Sequence, residues 1–116
     1  MADTFLSKPV DLTLNSATTI YTVPSTDDSA TPPTESTVAI IKSILVSEDS
    51  GNADTITVTL TRSSAVFSLF KVKAVAANTT VELLSQPLIA NEGDIIKATA
   101  ATANRLHVVL SVMEIT

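Results

Sequence analysis

The side chains able to do acid–base, nucleophilic or metal chemistry are few in these 116 residues, and they are scattered. His107 is the single histidine, and there is no cysteine, so thiol chemistry, disulfides and Cys-ligated zinc are excluded. General acid–base catalysis needs a titratable group held within hydrogen-bond reach of a nucleophile or substrate. His107 alternates out of phase with Leu106, Val108 and Leu110, which sends its ring to the less apolar side of a strand. With no cysteine in reach and no metal-ligand spacing around it, it reads as a structural or surface histidine. Ser and Thr are abundant, but the Gly-x-Ser-x-Gly elbow is missing. Two glycines are too few to shape an oxyanion loop or a phosphate cradle.

Carboxylates gather at Asp27-Asp28 and at Glu48, Asp49 and Asp54. Calcium takes about six to eight oxygen ligands, and the stretch from Asp49 to Asp54 lacks the Asp-x-Asp-x-Asp-Gly spacing. These groups read as solvated acidic turns. Glu114 stands in an otherwise apolar strand, either as a buried charge paired to Arg or Lys or facing solvent or a subunit boundary. Sugar recognition relies on aromatic platforms. Here Trp is absent and Tyr21 is the single tyrosine, so a glycan or receptor module is a poorly equipped alternative. No catalytic residue, metal ligand or cofactor site is assigned, and the expectation is that the chain is not an enzyme.

Charge narrows the partners. The net charge is −5 with seven Lys and Arg, and these are spread singly except for Lys71 and Lys73, which share a strand face. Nucleic-acid binding depends on clustered cations and is not expected. The longest near-apolar run, Val38 to Val46, is interrupted by Lys42 and Ser43 and is too short to span a bilayer. The start, Met1-Ala2-Asp3-Thr4-Phe5, has neither a basic region nor an apolar core, so no secretory leader is expected. Charged residues make up 16% of the chain against 45% hydrophobic, a low charge density that suggests surface committed to a partner.

The elements that would position these groups are strands. In Thr55-Ile56-Thr57-Val58-Thr59-Leu60-Thr61, the aliphatic side chains fall on one side and the threonines on the other. A helical step would scatter them, so this is a strand with one wet face. Further strands are expected at Val10–Leu14, Thr18–Val23, Val38–Ser47, Val66–Val72, Thr79–Leu84, Leu88-Ile89, Asp94–Ala100 and Arg105–Ile115. The last two read as a hairpin around Ala101–Asn104, and Ala74–Asn78 could form one helical turn. Gly51 and Gly93 fall in polar turns, where each is expected to take a backbone angle other residues resist. Pro24 to Ser36, with Pro32-Pro33, reads as a long exposed loop.

About eight or nine short strands without a convincing helix point to an all-β, single-domain antiparallel β-sandwich or jelly roll. Residues 1–9 form an N-terminal arm ahead of the domain at 10–116. Val38–Ser47 is apolar on both faces and needs cover on two sides, so a homo-oligomer is expected, with a trimeric ring ahead of a dimer. The candidate contact residues are Phe5, Leu6 and Val10 of the arm, Tyr21, and Pro32 and Pro33 of the loop.

Thr19-Ile20-Tyr21-Thr22-Val23-Pro24, Thr37 to Val46, Asp54 to Leu60, Thr79 to Leu84, Pro87-Leu88-Ile89, Glu92-Gly93-Asp94-Ile95-Ile96-Lys97-Ala98 and Ser111 to Ile115 form a strand-and-turn pattern. Together these stretches resemble small virion structural proteins of tailed phages. The resemblance runs from about residue 18 to 115, and the Pro24 to Ser36 stretch is longer than that pattern has. It implies a non-enzymatic particle component, made in a host cytoplasm and carried in the virion. The expected placement is a capsid decoration or cement protein bound between capsomers of the major capsid protein; the alternative is a tail, neck, baseplate or fibre-associated module.

Overall fold

The computed structural model describes residues 3–25 and 37–115. Among these, nine strands form two antiparallel sheets, β1 (Asp3–Asp11), β2 (Thr18–Thr22), β3 (Val38–Glu48), β4 (Asp54–Arg62), β5 (Ala65–Val75), β6 (Thr80–Glu82), β7 (Leu88–Ala90), β8 (Ile95–Ala100) and β9 (Leu106–Ile115). Sheet A has the order β1-β9-β3-β6, with β7 also paired to β3; sheet B has the order β2-β8-β4-β5. The expected β-sandwich is therefore the observed fold.

Alternation builds the core. Ile56, Val58 and Leu60 of β4 and Ile96, Ala98 and Ala100 of β8 are buried against Leu106, Val108, Leu110 and Val112 of β9. In β3 the inward residues are Ala39 and Ile41, then Ile44 and Val46. That three-residue step from Ile41 to Ile44 breaks the period of two. It is absorbed by a register shift between Ile41 and Ser43, where Lys42 is the extra residue.

Several local expectations are corrected. Residues 3–9 are not a free arm. β1 pairs with β9 without a break, from Asp3 opposite Ile115 to Asp11 opposite His107, and its Leu6 and Val10 pack on the core. Its inward positions Thr4, Leu6, Lys8 and Val10 mix polar with apolar, so no clean alternation marks the strand. Pro9 is tolerated because an edge strand can spare an N–H. Residues 101–104 do not close a hairpin: β8 belongs to sheet B and β9 to sheet A. The chain crosses between layers there because Ala100 and Leu106 must both face the interior. The crossing is held by Ala101 N–H to the Thr55 carbonyl (3.1 Å) and Asn104 N–H to the Leu12 carbonyl (2.9 Å). Ala74 and Val75 continue β5, and no helical turn forms at 74–78.

Gly51 and Gly93 have φ of +87° and +81°, as their turns require. A two-residue turn at Ser63-Ser64, with φ of +51° and +71°, joins β4 to β5. Positive φ at both central residues marks the primed geometry that suits strand twist.

Candidate assembly surface

Glu48, Asp54 and Asp94 are spent on holding loops. Glu48, on the inward phase of β3, is 1% exposed, which corrects the expectation of a solvated acidic turn. Its oxygens accept N–H bonds from Ser50 (3.0 Å), Gly51 (3.0 Å), Asn52 (3.2 Å) and Asn78 (3.3 Å), and the Ser50 hydroxyl. Burial alone would raise its pKa, but the hydrogen bonds from Ser50, Asn78 and Gly51 outweigh it and hold it down at about 2. Asp54 is also buried and accepts the Thr102 N–H at 3.0 Å. Asp94 is gripped by the Arg62 guanidinium at 2.8 and 2.6 Å and accepts the Asn91 N–H. The Arg62 bond holds Asp94 below the ordinary aspartate range despite its burial. Glu82 accepts from the Ser43 hydroxyl and from the Ile44 and Leu84 N–H groups, so it fills the β3 bulge.

Glu114 is partnered by neither Arg nor Lys: it accepts the hydroxyl of Tyr21, whose pKa is pushed up by burial and by that carboxylate. His107 lies on the outer side of β9, with Nε2 3.2 Å from Asp11 and Nδ1 3.7 Å from Asp49. Among the described residues, no group of three or more His, Asp or Glu side chains is placed to hold a metal ion.

What remains is surface. Register fixes which residues share the outer face of sheet A, because paired residues point the same way. One row runs Phe5, Met113, Ile40, Ile89; beside it lie Ile115 and Val38, flanked by Asp3. A serine row, Ser7, Ser111 and Ser43, separates these from Pro9, Val109 and Leu45, flanked by Glu82. Phe5 is 72% exposed, Ile89 53%, Val38 40% and Leu45 37%. A second apolar exposure lies on β5, at Val66, Phe67 and Val72.

The residues singled out from sequence are thus divided. Phe5 stands on the outer face, while Leu6 and Val10 turn inward and Tyr21 is buried. Pro32 and Pro33 lie outside the described residues. Ile40, Ile89, Val109, Met113 and Ile115 were not singled out. The doubly apolar pattern of Val38–Ser47 was their signal, and only the pairing of β1, β7 and β9 with it assembles the patch.

No family model matches the chain, and no curated protein matches it. Among solved structures, the chain is similar to the crystal structure of a pentameric capsid protein isolated from metagenomic phage sequences, at 18% identity and a TM-score of 0.43. The match covers 93% of this chain and spans 59% of the length of that one.

Proposed function

We propose that this chain is a non-enzymatic structural protein of a tailed-phage virion, a capsid decoration protein that binds between capsomers as a homo-oligomeric ring, with a trimer as the expected state. The outer face of sheet A carries this reading. Folding a two-layered sandwich requires only its inner faces to be apolar, and antiparallel sheets ordinarily keep the other face wet. A face lined by Phe5, Ile40, Leu45, Ile89, Met113 and Ile115 has its use in contact with another protein. Its burial contributes on the order of 25 cal/mol per Å² of apolar area, less the cost of association, and repetition over a lattice multiplies modest contacts.

Two further observations support it. The strand order β1-β9-β3-β6/β7 over β2-β8-β4-β5 fits a jelly roll, an architecture that viral capsid proteins and lectins share. The strand-and-turn pattern from about residue 18 to 115 resembles small phage virion proteins. The lectin alternative loses its one tyrosine platform, since Tyr21 is 5% exposed.

The test is the copy number of this chain in purified particles, by quantitative gel or mass spectrometry. Decoration of the shell gives on the order of hundreds of copies per particle, as repeated lattice binding demands. A dozen or fewer would move it to the neck or tail, and absence from particles would overturn the virion reading.

A further inference from the structure

We propose that the outer face of sheet A receives the β5 flank of a second copy, head to tail, so that copies of this chain close into a ring. The proposal rests on reading that face as an assembly surface, but not on which particle the assembly joins.

Apart from Leu14 between β1 and β2, the exposed large apolar side chains among the described residues fall on the sheet A face and on β5, and the charges of these two regions are opposite. Around the sheet A face stand Asp3, Asp11, Asp49 and Glu82, against Lys42 at the bulge. β5 carries Lys71 and Lys73 and has no carboxylate between Ala65 and Val75. Its apolar groups are Val66 at 64%, Phe67 at 54% and Val72 at 61% exposed. A symmetric contact of β5 with β5 would concentrate the lysines of both copies. A symmetric contact of the two sheet A faces would concentrate their carboxylates. Only the heterologous arrangement sets basic against acidic while burying apolar area on both sides.

β5 also does not invite simple strand addition. It is the edge of sheet B, but its register to β4 shifts twice, between Ile56 and Val58 and between Val58 and Thr59. Val72 sits in the bulge at φ +51°, with lysines on either side. Bulges and edge lysines are the devices that block backbone pairing. The flank is therefore left with its side chains as the means of contact, and a flat apolar sheet face is the complementary target.

Size sets the strength. Four strands spaced about 4.8 Å apart, with a rise of about 3.4 Å per residue, give a face of roughly 19 by 30 Å. That footprint of roughly 600 Å² falls short of the ~800 Å² per partner of a standard stable interface, so the contact is expected at micromolar affinity. A heterologous contact closes into a ring when its rotation allows, which distinguishes it from a two-fold dimer.

Sedimentation velocity of the full chain, from about 1 to 200 µM, reads this directly. The wild type is expected to form a species of three or more copies that weakens as salt rises. Two variants each remove one half of the contact, Phe5→Asp on the face and the double variant Lys71→Glu with Lys73→Glu on the flank. All three positions are exposed, and an unchanged circular-dichroism spectrum establishes that each variant folds. Each alone is expected to be monomeric. Mixed one to one, they are expected to form a dimer, because each retains the half the other lacks. Phe67→Asp serves as a second flank variant. A wild type that stays monomeric would overturn the proposal, as would lysine variants that assemble like wild type or a mixture that stays monomeric while wild type associates. If rings form but do not bind particles, the virion reading fails alone; if particles bind a monomer, the ring fails alone.

Discussion

On sheet B, the outward positions are Thr55, Thr57, Thr59 and Thr61 of β4, with Ile95, Lys97 and Thr99 of β8 paired beside them. On sheet A, the outward positions hold Val38, Ile40 and Leu45 of β3 and Val109, Met113 and Ile115 of β9, interrupted by Ser43, Ser47, His107 and Ser111. Both sets are β-formers, and Thr differs from Val mainly in its hydroxyl, which at Thr57 accepts the Val72 N–H and at Thr61 is buried with no partner among the described residues. The core does not distinguish the two faces, since each sheet contributes an equally dry inner surface. The difference therefore reports on what lies outside the sandwich. The outward side chains of β4 and β8 are mostly polar, while β3 and β9 turn outward the apolar patch proposed above as a contact surface.

The largest effect that sharpens this contrast comes from two neighbours on β3. Ile44 is fully buried, while Leu45 points outward at 37% exposure. Ile44→Ala is expected to cost about 2–5 kcal/mol, the range for emptying a packed aliphatic site. Leu45→Ala in the unassembled chain is expected to cost less, about 1–2 kcal/mol, because 37% of its area stays in water after folding. Urea unfolding at a concentration where the chain is monomeric measures both, with an unchanged slope showing that only stability moved. Equal costs would mean that the outer face serves folding, and the contrast between the sheets would collapse.

Next in size is Glu48→Gln. Glu48 lies on the inward phase of β3, at the end where the chain crosses from sheet A to sheet B. Its pKa is depressed from the ordinary 4.5 to about 2, so its charged form is favoured by folding. The stability it contributes is complete above the unfolded value of 4.5 and is lost as pH falls through about 2. Gln keeps the shape but turns a donor toward N–H groups that need an acceptor. At pH 7 the melting temperature is expected to drop on the order of 10 °C. The gap between wild type and variant should narrow steadily on acidification from about 4.5 to about 2. A gap that stays constant with pH would mean that the charge on Glu48 is not what joins the two loops.

Much of this architecture is legible in the residues. The Thr/aliphatic alternation of β4 announces one wet face, and the two glycines mark their turns at positive φ. Less visible was anything that depends on pairing. Ala101–Asn104 has the composition of a hairpin, and only the layering of β8 and β9 shows that it crosses the sandwich. Glu48 resembles any acidic turn residue until the N–H groups of Ser50, Gly51, Asn52 and Asn78 converge on it. The candidate surface was half visible. Phe5 and the double-sided β3 point to it, but Ile89 joins only because β7, three residues long, pairs with β3 opposite Ile40.

The smallest expected effect concerns Val72, which ties the wet sheet to the exposed flank. Its N–H donates to the Thr57 hydroxyl at 3.0 Å, so one of the outer threonines of sheet B also pins the β5 bulge. A β-branched residue at φ +51° carries a backbone cost of about 1–2 kcal/mol that glycine avoids. Glycine gives part of this back through the freedom it adds to the unfolded chain. Val72→Gly is therefore expected to stabilise the monomer by about 0.5–1 kcal/mol, read as a small rise in melting temperature. If stability falls instead, the bulge is held by the packing of the valine and is not strained. A variant that gains stability yet loses self-association would show what the strain is kept for. The 61% exposed side chain would then do its work in the neighbouring copy, on the apolar face of sheet A.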